Sequence, residues 1–155
     1  SDVQAAIMRV QLRRLPDLLA ARSRAAAAYA AGLGDLEALT LPVALPDRTH
    51  PWQSYVLTLD PSLERGQVAV ALRAAGVGCN FGTYASHVQP VYAAARTQAG
   101  AAAAQAPRSD CQVSADLFAR HLAIPMHANL TDDDLEYVVA TVRAVVGSAS
   151  ARASH

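Results

Sequence analysis

Apolar residues recur at helical spacing from the start of the chain to about residue 33. The first members of this stripe are Val3, Ile7 and Val10. Ser1 is in position to cap the helix, and Gly32 and Gly34 predict its end. Pro16 interrupts the pattern, and because an internal proline costs about 3 kcal/mol, we expect a kink or a restart there.

Shorter patterns predict the middle of the chain. Residues 35–51 contain three prolines and predict an extended connector. Residues 52–59 favour a strand, residues 65–75 an amphipathic helix closed by Gly76, and residues 77–81 a second short strand. Two strands around a helix suggest that this part forms a sheet with a helical cover.

The last third alternates low-complexity and patterned segments. Residues 93–109 are rich in alanine, residues 114–121 predict a helix, and residues 122–125 predict a strand. Thr131 opens a final helix whose apolar stripe predicts burial. The stripe comprises Leu135, Val138, Val139, Val142, Val145 and Val146. Residues 147–155 are expected to form a disordered tail.

The order of these elements predicts a small α+β domain. One long helix comes first, followed by strand, helix, strand, helix, strand and helix, with no internal repeat. We therefore divide the chain into a linking helix (1–34), an α+β domain (35–146) and a disordered tail (147–155). A chain that opens within a helical motif also suggests a piece of something longer.

Composition and charge exclude several functions. The 13 basic residues are all arginine and balance 13 acidic residues, so no basic field is available to attract nucleic acid. No apolar stretch approaches the roughly 20 residues that cross a bilayer, and no targeting segment is recognisable. Cys79 and Cys111 lie far apart without zinc-finger spacing, which favours reduced thiols in a cytoplasmic protein.

The densest group of polar side chains lies in residues 80–92, directly after a predicted strand. Gly82 permits a close backbone approach, Thr83 and Tyr84 offer hydroxyls, and His87 can titrate near neutral pH. These residues are candidates for binding a ligand. The alternative is an ordinary surface loop.

Other polar residues favour structural roles. Trp52 follows His50 at a strand start, where a ligand contact is conceivable but a place in the core is more common. His121 and His127 flank a short strand at a spacing that suits no familiar metal geometry. The three acids at 132–134 are explained by their place at the positive end of a helix.

Four segments, in order along the chain, resemble the DegT/DnrJ/StrS family of aminotransferases. They are SDVQAAI at 1–7, HPWQSYV at 50–56, GTYASHVQP at 82–90, and LAIPMH with LTDDDL at 122–135. The resemblance extends from residue 1 to about residue 146. The fold it implies is the small C-terminal domain of a fold-type-I pyridoxal-phosphate transferase, preceded by its linking helix.

The resemblance also implies an activity and its cofactor. Family members are pyridoxal-phosphate enzymes, usually homodimers, which transfer an amino group to a keto group on a nucleotide-linked sugar. Their Schiff-base lysine and most cofactor contacts lie in a large upstream domain. This chain has no lysine, and a guanidinium remains protonated and is not nucleophilic. By itself, the chain is therefore expected to be inactive, with no catalytic residue and no metal ligand of its own.

The resemblance implies specific substrate contacts in the candidate loop. Residues 82–90 correspond to the small-domain loop that faces the active site, so Thr83, Tyr84, His87 and Gln89 are the expected substrate-binding residues. More usual members carry HYPxPxH at this place, and His87 is the closest match to that motif.

Two interpretations of the whole chain stay open. The first is the C-terminal portion of a sugar aminotransferase, which needs an upstream large domain or a partner chain carrying it. The second is a stand-alone binding or dimerisation module that uses the apolar face of the leading helix. A third interpretation is a lysine-free sugar-dehydratase relative, in which a histidine replaces the lysine. These residues cannot support it, because that position would lie upstream of them.

Overall fold

The computed structural model describes residues 1–91 and 111–153. Within these ranges the chain forms four α-helices, four strands and one 3-10 helix. In order they are α1 (Asp2–Leu33), β1 (Leu39–Thr40), β2 (Tyr55–Leu59), α2 (Arg65–Ala74), β3 (Asn80–Phe81), the 3-10 helix (Ser86–Val88), α3 (Gln112–Arg120), β4 (His121–Ile124) and α4 (Asp132–Ala153). The expected α+β fold is confirmed. The expected alanine-rich segment 93–109 lies outside the described residues.

The strands form one sheet in the order β1-β2-β4-β3, and all neighbours are antiparallel. In the register Tyr55 pairs with Ile124, and Phe81 pairs with Leu122. Because β4 lies between β2 and β3, those two strands run parallel to each other and α2 connects them. Strand β4, the last strand along the sequence, therefore lies in the middle of the sheet, between β2 and β3.

The two faces of the sheet differ in what covers them. Along β2 the residues alternate, so that Tyr55, Leu57 and Leu59 are buried while Val56 and Thr58 are half-buried on the other face. The buried face packs against α1, α2 and α4. The main helical contributors to this core are Tyr29, Leu33, Val68, Leu72, Leu135, Val138, Val142 and Val146. On the opposite, outer face the chain after β3 approaches Val56 and His121 at Gly82. Helix α3 lies next to β3, with the Phe118 and Phe81 rings 5.8 Å apart.

Helix α1 begins and ends close to the predicted positions but is not interrupted. Ser1 and Gln4 form the expected capping box, and Gly34 is the C-cap. The restart expected at Pro16 is wrong, since one helix runs through it. The proline leaves the Leu12 carbonyl without its helical donor. Because residues 1–17 are all exposed, water can hydrogen-bond to this carbonyl.

Helix α1 packs beside α4 in a parallel direction. Arg24 pairs with Asp132 at the start of α4, at 3.1 Å, while Arg143 further along α4 donates to the Gly32 carbonyl oxygen at 2.8 Å. A Cβ atom on Gly32 would lie 2.6 Å from Cγ1 of Val139. Gly32 therefore lies inside the helix and permits close packing, which corrects the expectation that it ends the helix.

The first half of α1 extends beyond the rest of the domain. Since residues 1–17 are all exposed, about 16 residues of α1 precede its contacts with the domain, or roughly 24 Å of helix. Its stripe of Val3, Ile7 and Val10 is 47–70% exposed. The described residues therefore leave this apolar face uncovered.

Helix α4 has the predicted start and a longer course than expected. Thr131 Oγ1 accepts from the Asp134 backbone amide at 3.1 Å, and Asp134 accepts from the Thr131 amide at 2.9 Å, which completes a capping box. The disordered tail expected from residue 147 is wrong as far as Ala153, where the helix ends. Val146 is buried and Ala149 packs against the core, so burial sustains the last turns.

Two smaller corrections concern the strands. Strand β2 begins at Tyr55 because Trp52, with a backbone φ of 49°, departs from extended geometry. Strand β3 is reduced to Asn80–Phe81, and the two-residue β1 within the connector was not anticipated.

No helix within residues 1–91 and 111–153 is long and apolar enough to span a membrane. The division into a linking helix and a domain at residue 34 stays a prediction.

The hydroxyl of Tyr29 makes alkaline stability a test of this core. It donates to the Pro125 carbonyl oxygen at 2.7 Å, and burial, with smaller effects of Asp134 and Tyr55, raises its pKa to about 12. The unfolded chain therefore loses this proton first, near pH 10. Stability should be intact below pH 10 and should fall as the pH rises towards 12.

Tyr29→Phe should cost about 1 kcal/mol at neutral pH and should flatten the alkaline loss, as measured by urea unfolding at several pH values. Tyr137→Phe is the matched control, because it removes a hydroxyl that donates to a carbonyl at an exposed site. An alkaline slope that is equal in both variants would contradict this role of Tyr29.

Candidate functional site

The candidate loop begins at Gly82 and crosses the outer face of the sheet. A Cβ atom on Gly82 would lie 2.3 Å from Cγ1 of Val56 and 2.9 Å from Cβ of His121. The Gly82 amide also donates to the His121 carbonyl oxygen at 3.4 Å. The close backbone approach that the sequence predicted is thus made to β2 and β4, which fixes where the loop leaves the sheet.

The expected substrate-binding residues all lie on this one loop. Thr83, His87 and Gln89 are half-buried, and Tyr84 has 64% of its surface exposed. The Gln89 amide donates to the Ala85 carbonyl oxygen at 3.1 Å, which closes a turn around the 3-10 helix. Gln89 therefore shapes the loop, while Tyr84 presents the most accessible side chain of the four.

Tyr84 belongs to a cluster that joins three elements to the loop, which we call the aromatic–arginine cluster. It comprises Arg65, Phe81, Tyr84 and Phe118. The Tyr84 ring lies edge-on to Phe81, with centroids 5.6 Å apart, and 6.2 Å from Phe118. The Arg65 guanidinium carbon lies 4.2 Å from the Phe81 centroid and 4.7 Å from that of Phe118. Both distances are within the range of a cation–π contact.

Arg65 is the centre of this cluster. Its Nη1 donates to the Phe118 carbonyl oxygen, which ties the start of α2 to α3. Burial lowers its pKa, while the charges of Glu64 and Tyr84 oppose that effect. An arginine remains cationic under these conditions, because its reference pKa exceeds 12. The cluster therefore holds a fixed positive charge beside exposed aromatic rings.

Sequence reasoning did not identify Arg65 or Phe118 as site residues. They lie 53 residues apart, and neither belongs to the polar segment that marked the loop. Only the fold brings them to Tyr84, through the short β3 and the placement of α3 next to it. The sequence pattern of α2 or of α3, taken separately, does not predict the contact between Arg65 and Phe118.

A second group of rings lies at the beginning of β2, at the far end from its pairing with His121. Trp52 is half-buried and stacks on the buried Tyr55 at 5.7 Å, and His50 lies 4.3 Å from Trp52. The His50 Nδ1 accepts from the Trp52 backbone amide at 3.0 Å. Trp52 thus packs against the core, as the sequence favoured.

The remaining candidates have structural surroundings. His121 lies on the outer face beneath the loop, and burial, reinforced by Arg120, lowers its pKa. Asp134 caps α4, and hydrogen bonds from Thr131 lower the pKa of its carboxyl group. In the part of the chain that the structure describes, no three His, Cys, Asp or Glu side chains are grouped closely enough to hold a metal ion.

Comparison with known proteins identifies the family. The sequence model of the DegT/DnrJ/EryC1/StrS aminotransferase family matches residues 1–143. The chain belongs to this family. The resemblance inferred from the four motifs is therefore confirmed.

Several members of the DegT/DnrJ/EryC1/StrS family are similar to the chain. The spore coat polysaccharide biosynthesis protein SpsC of Bacillus subtilis (strain 168) is 28% identical over 152 residues, which cover 96% of this chain and 37% of SpsC. The aminotransferase TlmJ from Streptoalloteichus hindustanus superposes with a TM-score of 0.81 at 29% identity, over 96% of this chain and 37% of TlmJ.

A third relative, DesV of S. venezuelae, has a TM-score of 0.74 at 27% identity, over 92% of this chain and 36% of DesV. The chain thus spans a little over a third of the length of these relatives. Their folds confirm the expected likeness to aminotransferases of this class.

The residues of this chain do not fit pyridoxal phosphate as a resident cofactor. Enzymes of this chemistry hold it through an imine to a lysine amine, and the chain contains no lysine. Arg65, the cation at the candidate loop, is packed between two phenyl rings and cannot replace an amine. No catalytic step can therefore be assigned to this chain alone.

Gly82 offers a test of how the loop is positioned. Gly82→Ala should destabilise the domain by about 1–3 kcal/mol, because the new methyl group would overlap Val56 and the backbone of β4 would have to move. Gly78→Ala is the control, since a Cβ there meets nothing within 4 Å. Urea unfolding measures both. Equal stability of the two variants would show that the loop does not lie against the sheet.

Proposed function

We propose that this chain is the C-terminal portion of a pyridoxal-phosphate-dependent aminotransferase that acts on a nucleotide-linked keto sugar. It contributes part of the substrate pocket and dimer contacts. The Schiff-base lysine and the bound cofactor belong to an upstream large domain, or to a partner chain that carries one. The assembled enzyme is a cytoplasmic homodimer.

The uncovered half of α1 carries this proposal. Val3 and Ile7 lie 25 residues before Ala28 and Gly32, which is close to seven helical turns. The exposed stripe therefore continues the face that packs against α4 further along the helix. We expect another element to cover this continuous apolar face of α1 where the face extends past the start of α4. The relatives, of which the chain covers 37%, have enough additional chain to supply one.

The candidate loop supplies the substrate contacts. Thr83, Tyr84, His87 and Gln89 lie on the loop that leaves the sheet at Gly82, and Tyr84 lies beside Phe81 and Phe118. His87 can hold a sugar hydroxyl or a phosphate by hydrogen bonding without acting as the base. The loop is attached to the sheet through Gly82, so its side chains are held by a folded scaffold.

A non-catalytic module is the second candidate. The exposed apolar stripe of α1 is compatible with it, because an uncovered helix face can pair with a second copy of the chain. In that case the exposed stripe of α1 would be a dimerisation surface. The two functions differ in whether a large domain restores activity.

Reconstitution tests the first proposal. Mixing the chain with the lysine-bearing large domain of a relative such as SpsC should produce amino transfer from glutamate to a nucleotide-linked keto sugar. Neither component should do so separately. His87→Ala should lower kcat/KM of the mixture by about 10- to 100-fold, as the loss of a charged or strong hydrogen bond would. Activity of the chain alone would sink this proposal.

His127→Ala is the matched control for that experiment, since His127 is an exposed histidine outside the loop. It should leave kcat/KM unchanged. A mixture that stays inert, with a chain that associates with itself, would instead support the module.

The exposed stripe predicts self-association of the chain without its large domain. Sedimentation at micromolar concentration should show dimers or larger species, because an uncovered apolar helix face is unfavourable in water. Ile7→Glu should shift the chain towards monomer. Val70→Glu, at a site on α2 that is 66% exposed, should not. A monodisperse monomer of the unaltered chain would contradict the prediction.

A further inference from the structure

The aromatic–arginine cluster presents two kinds of contact side by side. Tyr84 is 64% exposed and Phe81 is 41% exposed, so both rings offer surface to a ligand. Arg65 packs against Phe81 and Phe118, and its guanidinium is within about 10 Å of the Tyr84 ring. A ligand that stacks on Tyr84 can therefore also reach a cation.

Within residues 1–91 and 111–153, no ion pair neutralises the positive charge of Arg65. Among the residues that the structure describes, no carboxylate lies within salt-bridge distance of it. The nearest acid in sequence, Glu64, accepts from the amides of Gly66 and Gln67 at 2.8 and 2.7 Å and so caps α2. The cluster is thus suited to a ligand that brings its own negative charge.

The guanidinium is also held in a fixed orientation. One of its nitrogens donates to the Phe118 carbonyl oxygen, and its plane is packed near two rings. A planar guanidinium forms paired hydrogen bonds with phosphoryl oxygens, and an aromatic face stacks on a nucleobase. A single nucleoside diphosphate combines both features.

We propose that this cluster binds the nucleoside diphosphate part of the substrate, with the base stacked on Tyr84 and the diphosphate paired with Arg65. This inference rests on the proposed function, which supplies the nucleotide-linked substrate. It adds Arg65 to the binding residues and gives Tyr84 a specific role.

Titration of the unaltered chain with UDP, TDP, uridine and pyrophosphate tests the proposal. Both diphosphates should bind at least tenfold more tightly than uridine or pyrophosphate, and their base protons should shift upfield in the NMR spectrum because they stack on a ring. Binding of UDP no tighter than that of pyrophosphate would reduce the cluster to a simple anion site. Such a result, or no binding at all, overturns the proposal.

Variants separate the two contacts. Tyr84→Ala should weaken UDP binding about tenfold and leave pyrophosphate binding unchanged. Tyr137→Ala is the control, because Tyr137 is 55% exposed and likewise lies outside the core. If both tyrosine variants bind UDP equally well, stacking on Tyr84 is refuted.

Arg65→Gln should weaken both UDP and pyrophosphate about tenfold and leave uridine unchanged. Arg73→Gln is its control on the same helix, since Arg73 also donates to a backbone carbonyl, that of Cys79, at 2.9 Å. Circular dichroism checks that each variant is folded. If Arg65→Gln unfolds, Tyr84→Ala decides the question.

The outcome is distinguishable from that of reconstitution. Amino transfer by the mixture without UDP binding to this cluster overturns the present proposal and leaves the proposed function intact. UDP binding to the chain, together with an inert mixture, overturns the proposed function and leaves the binding of UDP to this cluster intact.

Discussion

The parallel packing of α1 against α4 is the constraint on which the rest of the structure depends. It requires Gly32 to have no side chain where Val139 approaches, and it is fastened at two levels by Arg24 and Arg143. Because residues 1–17 are all exposed, the first half of α1 has no neighbour among the described residues of the domain. One packing contact thus determines both what is buried and which apolar face is left for another element.

The same principle operates on the outer face of the sheet. Gly82 brings the loop so close to Val56 and His121 that its path leaves no room for a side chain. Arg65 then joins α2 to α3 across Phe81 and Phe118. The geometry of the candidate loop therefore comes from contacts within this domain. A pocket wall built in this way is formed before any partner or substrate arrives.

The sequence predicted what depends on local pattern. The helix caps at Ser1 and Thr131 and the end of α2 at Gly76 need only neighbouring residues, and each was found. The errors arise where burial or solvent overrides a local preference. Pro16 is tolerated because water reaches the freed carbonyl, and the helix beyond residue 147 persists because it packs on the core.

The candidate site also shows that local sequence pattern does not predict contacts between residues far apart in the chain. The loop residues could be found because they lie together in the sequence, and the motif around His87 marked them. Arg65 and Phe118 could not, since their contact depends on how α3 is placed over the sheet. Local pattern thus locates a polar loop, and only the tertiary structure reveals the charge beside it.

A domain without a reactive amine can still determine what an enzyme accepts. Recognition of a charged, ring-containing ligand needs a fixed cation and an accessible aromatic face, neither of which takes part in bond making. Arg65 and Tyr84 have these properties, and both are held by contacts that do not involve the uncovered half of α1. A lysine-free domain in a family of aminotransferases can therefore serve in recognition while another part of the enzyme supplies the chemistry.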